Sequence, residues 1–225
     1  MKAYILSLGG SLIFPDKINV AFLKGFREFV ISEVKKGKKF IIICGGGAIN
    51  RQYNAAASEI INLGEEGLDW IGIAATRMNA SFVRELFGNL SYGKILDNPT
   101  KKIKTDKRII IGCGWKPGCS SDKDAVLAAK TFGADTVINL TNIDYVYTKD
   151  PRLHHDARKI EDITWSGFRE IVGDKWTPKL NAPFDPIAAQ LAQRMKLKVI
   201  ITKGDDLVNL RNLLDGKKFK GTVIS

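Results

Sequence analysis

Four stretches of this chain concentrate glycine, hydroxyl and charged side chains, and each follows a short apolar run. The richest is Thr141–Pro151, TNIDYVYTKDP, directly after Val137-Ile138-Asn139-Leu140. Within eleven residues it offers hydroxyls, an amide, acids, two tyrosines and a proline-set turn. That mixture suits a nucleotide's base and ribose: a flat aromatic covers the base, and Asp144 or Asp150 accepts from sugar or amino groups. Gly9-Gly10-Ser11 follows the first apolar run, where paired glycines let backbone N–H groups approach an anion. Gly45-Gly46-Gly47 lies between KFIIIC and a helical pattern, and a helix N-terminus with free N–H groups favours phosphate. Arg51 falls about one turn into that helix, within reach of the same anion. The fourth stretch, Gly112–Asp122, combines three glycines, Pro117, Lys116 and the pair Ser120-Ser121 ahead of another helix. One serine can cap that helix and leave the other hydroxyl for a ligand.

Two further acids belong with these turns. Asp69 is expected at the start of a helix in DWIGIAATRMNA. Asp185, in KLNAPFDP, either caps a helix or orients a lysine such as Lys179, or a metal, near phosphates. The glycine spacings are neither those of a dinucleotide fingerprint nor of a Walker loop. The chain has two histidines, the adjacent His154-His155, and three cysteines without metal-like spacing. A covalent nucleophile, a zinc site and a disulfide framework are therefore not expected, and a reducing cytoplasm is the expected location. Cations, hydroxyls and glycine turns without an obvious base suit phosphoryl transfer, in which the protein positions groups and neutralises charge while Mg²⁺ bridges phosphate oxygens.

These turns need a scaffold that presents them together. The runs 3–8, 39–44, 108–113, 135–140 and 198–202 are apolar throughout, as buried parallel strands should be. Amphipathic stretches at 19–36, 48–62, 69–87, 123–132, 185–195 and 205–215 alternate with them. In the first, Val20, Phe22, Leu23, Phe26, Phe29, Val30 and Val34 form one apolar face. The pattern predicts an α/β fold with a mainly parallel central sheet sandwiched by helices. FKGTVI, 219–224, is expected as an edge strand. The chain is read as one domain over 1–225, with a seam at the lysine- and proline-containing stretch 97–107.

At 225 residues and 44% apolar composition, the chain can bury a sizeable core. No apolar stretch approaches the roughly 20 residues of a membrane span, and MKAYILSLGG reads as a first strand rather than a leader. The net charge is +11, and lysines cluster at 35–39 and 101–108. Without a zinc finger or aromatic RNA-recognition pattern, that charge points to phosphorylated small molecules rather than nucleic acid.

In this order, GGSLIFP, GGGAINRQY, LDWIGIAATRMNA, GWKPGCSSD, TNIDYVYTKDP, NAPFDPIAA and GTVIS resemble the amino-acid-kinase superfamily, and within it the archaeal-type uridylate kinases. The resemblance spans nearly the whole chain. It implies a three-layer fold, with an acceptor half at about 1–105 and an ATP half at about 106–225, commonly assembled as a homo-hexamer. By position it implies that Gly10, Ser11, Gly47, Arg51, Thr141, Asp144, Tyr147 and Asp150 serve ATP. It places UMP on Gly46, Asp69, Trp115, Lys116, Pro117, Gly118, Cys119, Ser120 and Ser121. The expected activity is Mg²⁺-assisted transfer of the ATP γ-phosphoryl group to UMP, with Arg51, Asp185 and Lys179 in the chemistry.

The chain also departs from the pattern. Ser7 stands where many superfamily members carry a first-strand lysine; the resembled archaeal branch lacks that lysine too, so the neutralising cation is to be sought among Lys116, Lys123, Lys175 and Lys179. Ser120-Ser121 replaces two threonines, Lys123-Asp124 follows where small residues are common, and Tyr145 stands where glycine is usual. A sister kinase with another acceptor, or a nucleotide- or oxyanion-storing relative without catalysis, is the alternative expectation.

Overall fold

The apolar runs pair as a seven-stranded sheet. In the computed structural model, which describes residues 3–151, 153–173 and 182–225, the strands are β1 (Ala3–Leu8), β2 (Lys39–Cys44), β3 (Ile109–Gly112), β4 (Thr136–Thr141), β5 (Val146–Tyr147), β6 (Lys159–Ile160), β7 (Asp162–Ile163), β8 (Lys198–Lys203) and β9 (Thr222–Ile224). The main sheet runs β3-β2-β1-β4-β8-β9-β7, while β5 and β6 form a separate antiparallel ribbon. Pairing is parallel from β3 to β8; β9 runs antiparallel to β8 and parallel to β7.

The helices are α1 (Gly10–Ile13), α2 (Val20–Lys35), α3 (Gly47–Ile60), α4 (Gly64–Phe87), α5 (Ser121–Phe132), α6 (Trp165–Val172), α7 (Pro186–Arg194) and α8 (Leu207–Leu214). Alternation along each strand divides the core between two faces. Ile5, Ile41, Ile43, Ile110, Val137, Val199 and Ile201 pack with residues of α5, α6 and α7. Leu6, Leu8, Phe40, Ile42, Ile109, Ile111, Ile138 and Leu140 pack with α2, α4 and α8. Because both faces are covered, the strands are apolar throughout. The described helices include none long and apolar enough to cross a membrane.

Strand order reverses between β1 and β4: β2 and β3 lie to one side, β4 and β8 to the other. Parallel strands put all four glycine or hydroxyl turns at the same carboxyl edge, and the reversal opens the crevice where ligands of open α/β sheets bind.

The structure corrects several expectations. The 219–224 strand is interior, because the two-residue β7 pairs outside it. Helix α4 starts at Gly64, so Asp69 lies inside it rather than at its cap. Val20 is 69% exposed, since the first residue of α2 projects past the face that Phe22, Phe26 and Phe29 bury. Gly10 and Ser11 belong to the four-residue α1, which, like β5, β6 and β7, is too short for periodicity to reveal; the eight-residue α6 was not expected either.

Candidate active site

The first two glycine turns are joined backbone to backbone. Gly45 donates its N–H to the Leu8 carbonyl at 2.9 Å, and Gly9 donates to that of Leu140 at 2.9 Å. A Cβ on Gly10 would overlap the backbone of Gly46 and Gly47. Gly47, at φ +70°, lies against the Gly10 carbonyl in a conformation that disfavours any side chain. The glycines thus have a packing reason to be there, and it leaves the start of α3 beside the end of β1. Asn79 of α4 fixes the second turn by donating Nδ2 to the carbonyls of Gly45 (2.8 Å) and Gly46 (3.1 Å).

Beside this junction lies a cavity of about 310 Å³. Six residues expected around an acceptor line it: Gly46, Asp69, Gly118, Cys119, Ser120 and Ser121. Asp185 lines it too. Asn50, Gly72, Ile73, Thr76, Gly114 and Ile187 complete the wall and were not expected from sequence. The signal for three of them was present: Asp69, Gly72, Ile73 and Thr76 follow the 3-and-4 spacing of one helix face. Trp115, Lys116 and Pro117 do not line the cavity; Lys116 Nζ instead lies 4.3 Å from the centroid of the Trp115 ring.

The 114–121 loop over the cavity is held from two sides. From α4, Thr76 Oγ1 accepts the Gly114 N–H (2.9 Å) and Asp69 Oδ2 accepts the Gly118 N–H (2.7 Å). From α5, Asp124 Oδ2 accepts the Trp115 N–H (3.1 Å) and Lys123 Nζ donates to the Gly118 carbonyl (2.9 Å). Ser120 caps α5, its hydroxyl accepting the Lys123 N–H at 3.1 Å. One oxygen of Asp69 is therefore committed to the loop. Asp69→Ala should raise the KM for the acceptor about 10- to 100-fold, by the loss of one or two charge-assisted hydrogen bonds, and leave the KM for ATP within about twofold. Steady-state kinetics with each substrate varied checks this. An effect on ATP alone would reverse the assignment of the two halves.

Two buried acids stand behind the cavity. Asp122 accepts from the Ser7 hydroxyl (3.0 Å) and from the Asp185 N–H (3.1 Å). Asp185 caps α7, accepting the Ala188 N–H at 2.8 Å. Burial pushes the Asp122 carboxyl up to about 6, against the pull of the Asp185 amide and Ser7 hydroxyl. Burial pushes Asp124 up to about 7, partly offset by the Trp115 amide and Lys123. Both acids hold a proton more tightly folded than at the ordinary value of 3.8. Their contribution to stability is complete below about pH 4 and is lost as pH rises through 6 and 7. The expected size is at most roughly 3 to 4 kcal/mol for each group. Urea unfolding from pH 4.5 to 7.5 should show stability falling, and Asp122→Asn should flatten that fall. Parallel profiles for the two proteins would contradict it.

Thr141 ends β4, Tyr147 lies on β5, and Asp144 and Asp150 flank them in the loop. None of these lines the cavity, nor do Gly10, Ser11 and Gly47. Arg51 is exposed one turn into α3 and forms no ion pair among the described residues. Lys179, with Lys175, lies outside the described residues.

A strand-order reversal, joined glycine turns and a cavity walled by Asp69 and the 114–121 loop form the frame in which relatives can be compared. Residues 2–203 match the amino acid kinase family. The chain belongs to that family. Among curated relatives, the uridylate kinase of Thermoplasma volcanium is 33% identical over 223 residues, covering 96% of this chain and 94% of the relative. That of Sulfolobus acidocaldarius is 31% identical, covering 97% and 98%. The crystal structure of uridylate kinase from Archaeoglobus fulgidus superposes with a TM-score of 0.84 at 30% identity, covering 100% of both chains.

Ser7, expected from sequence to stand in place of a first-strand lysine, lies on β1. It is buried against Asp122, which among the described residues accepts from the Ser7 hydroxyl and the Asp185 N–H and forms no ion pair. Of the cations proposed to take the lysine's place, Lys116 is engaged with Trp115 and Lys123 with Gly118.

Proposed function

We propose that the protein transfers the γ-phosphoryl group of ATP to UMP, giving UDP and ADP. The carrying observation is the acceptor-sized cavity directly beside the joined glycine turns, at the strand-order reversal of a chain similar over its whole length to proteins named uridylate kinase. A UMP phosphate oxygen forms a bond to the γ-phosphorus while the bond from that phosphorus to the β-phosphate oxygen breaks. The acceptor oxygen is already anionic, so no general base is needed.

In this reading the nucleoside of UMP occupies the cavity, its ribose on Asp69 and its base beneath the 115–121 loop. Its phosphate points to Gly46. ATP lies across Gly10, Ser11 and Gly47 with its adenosine toward Thr141, Asp144, Tyr147 and Asp150. Arg51 reaches the phosphates being exchanged, and Lys179 is a second cation for them.

Mg²⁺ is expected to arrive with ATP. The described residues contain no cluster of three or more acidic, histidine or cysteine ligands, but Asp185 stands at the cavity wall with one oxygen on its helix cap. One carboxylate plus substrate phosphates is how Mg²⁺ is usually held, so the site fits. Bound there, the ion would neutralise charge on the bridging oxygens.

We place the reaction in the cytoplasm and the enzyme in a homo-oligomer, a hexamer by family resemblance. Supporting assembly, Tyr53, Ile60, Trp70 and Met78 of α3 and α4 are exposed.

The test is ADP release from ATP–Mg²⁺ with UMP, CMP, dUMP, GMP, acetylglutamate, carbamate and isopentenyl phosphate offered in parallel. Turnover on UMP above the rest supports the reading. Another preferred acceptor makes the protein a sister kinase. Tight ATP binding with no turnover on any acceptor makes it a binding protein.

A further inference from the structure

The first turn of α5 buries a carboxylate that the proposed chemistry does not use. Asp124 is 0% exposed. Its Oδ2 accepts the Trp115 N–H, and its Oδ1 has no hydrogen-bond partner among the described residues. An orphaned buried oxygen is costly, and Lys123 only partly offsets the burial of this acid. Helix α5 does not need it: Ser120 already supplies the cap, and Ala125, Ala128 and Ala129 beside it are plain core residues. An apolar side chain would serve packing better. The contribution that remains is the bond to Trp115.

That bond anchors the acceptor loop from the α5 side. The Gly114 and Gly118 amides are both held from α4, by Thr76 and Asp69. Without Asp124, the Trp115 amide between them loses its α5 anchor, and the backbone leading to Gly118–Ser121 is free to shift relative to the cavity. We propose that Asp124 is a positioning residue that fixes the 114–121 loop over the acceptor cavity and thereby sets affinity for the acceptor nucleotide. The proposal rests on the UMP-kinase reading and deepens it. Asp124 touches no substrate and acts through the Trp115 backbone.

Asp124→Ala and Asp124→Leu remove the acceptor, the latter while filling the volume; Asp124→Asn keeps a carbonyl for the Trp115 N–H. Two measurements are made on each: hydrogen–deuterium exchange along the chain, and KM and kcat for both substrates. In the Ala and Leu variants, exchange at 114–121 should speed up about tenfold or more while β1 and β2 stay unchanged, since one net hydrogen bond is worth roughly a factor of ten. The KM for UMP should rise about tenfold, with that for ATP and kcat within about twofold. The Asn variant should stay near wild type in both. Unchanged exchange in the Ala and Leu variants, an Asn variant that behaves like them, or a common rise of both KM values with faster exchange in β1 and β2 would overturn the proposal. Wild-type turnover on UMP is recorded first. If it is absent, the kinase reading fails on its own, and the exchange comparison, which needs no turnover, decides whether Asp124 positions the loop.

Discussion

Arg51→Ala should lower kcat about 100- to 1000-fold while changing the KM for either substrate by less than about fivefold, as expected for a charged donor whose interaction strengthens in the transition state. Arg51 follows Gly46 and Gly47 by one turn of α3, is exposed, and has no ion pair among the described residues. Nothing visible in the fold requires its charge, so stability should be unaffected. A developing phosphoryl charge between the glycine turns would require it, because Ser7 supplies no cation at the end of β1. Arg51→Lys should recover only part of the rate, since a point charge does not replace the two-pronged donor. Saturation kinetics with both substrates, beside thermal unfolding, checks this. Unchanged kcat would remove Arg51 from the mechanism.

Gly10→Ala should be strongly damaging for a single added methyl. The added carbon would overlap backbone atoms of Gly46 and Gly47, which cannot move aside as a side chain would. Overpacking of this kind costs about 3 kcal/mol or more, or roughly 6 to 12 °C in Tm for a chain of this size. Activity should fall further than stability, because relief comes by prising apart the two turns that are to meet the phosphates. Gly133→Ala is the control. Gly133 adopts φ +68° after α5 but faces open space, so its loss should cost only about 1 kcal/mol and spare turnover. Thermal unfolding and kcat/KM of the two variants decide the matter. Equal losses would mean that the close approach of the two turns has no special role.

Much of the scaffold was legible because burial on both faces writes itself as uninterrupted apolar strands: AYILSL, KFIIIC and KVIIT each became a strand within a residue or so of its expected bounds. The turns were legible because parallel strands send every carboxyl end to one edge. Elements shorter than a period were not. The pair Asp162-Ile163 carries no alternation, yet it displaced Thr222–Ile224 from the edge of the sheet. Composition around Asp69 suggested a helix start, but GEEG ahead of it is helical as well, and the acid lies mid-helix facing the cavity. Asn50 of α3 and Ile187 of α7 joined the wall through tertiary packing, which no local pattern records. In sequence Asp124 stands out only by its place where small residues are common; the fold shows it buried on the Trp115 amide.

The most direct measurement follows the label from [γ-³²P]ATP in the presence of UMP and Mg²⁺, with the products separated and the labelled nucleotide degraded to locate the phosphorus. The expected result is label in UDP at its terminal phosphate, in amounts matching the ADP formed and lost with Arg51→Ala. ATP bound tightly while all label stays in ATP, or label released only as inorganic phosphate, would contradict it.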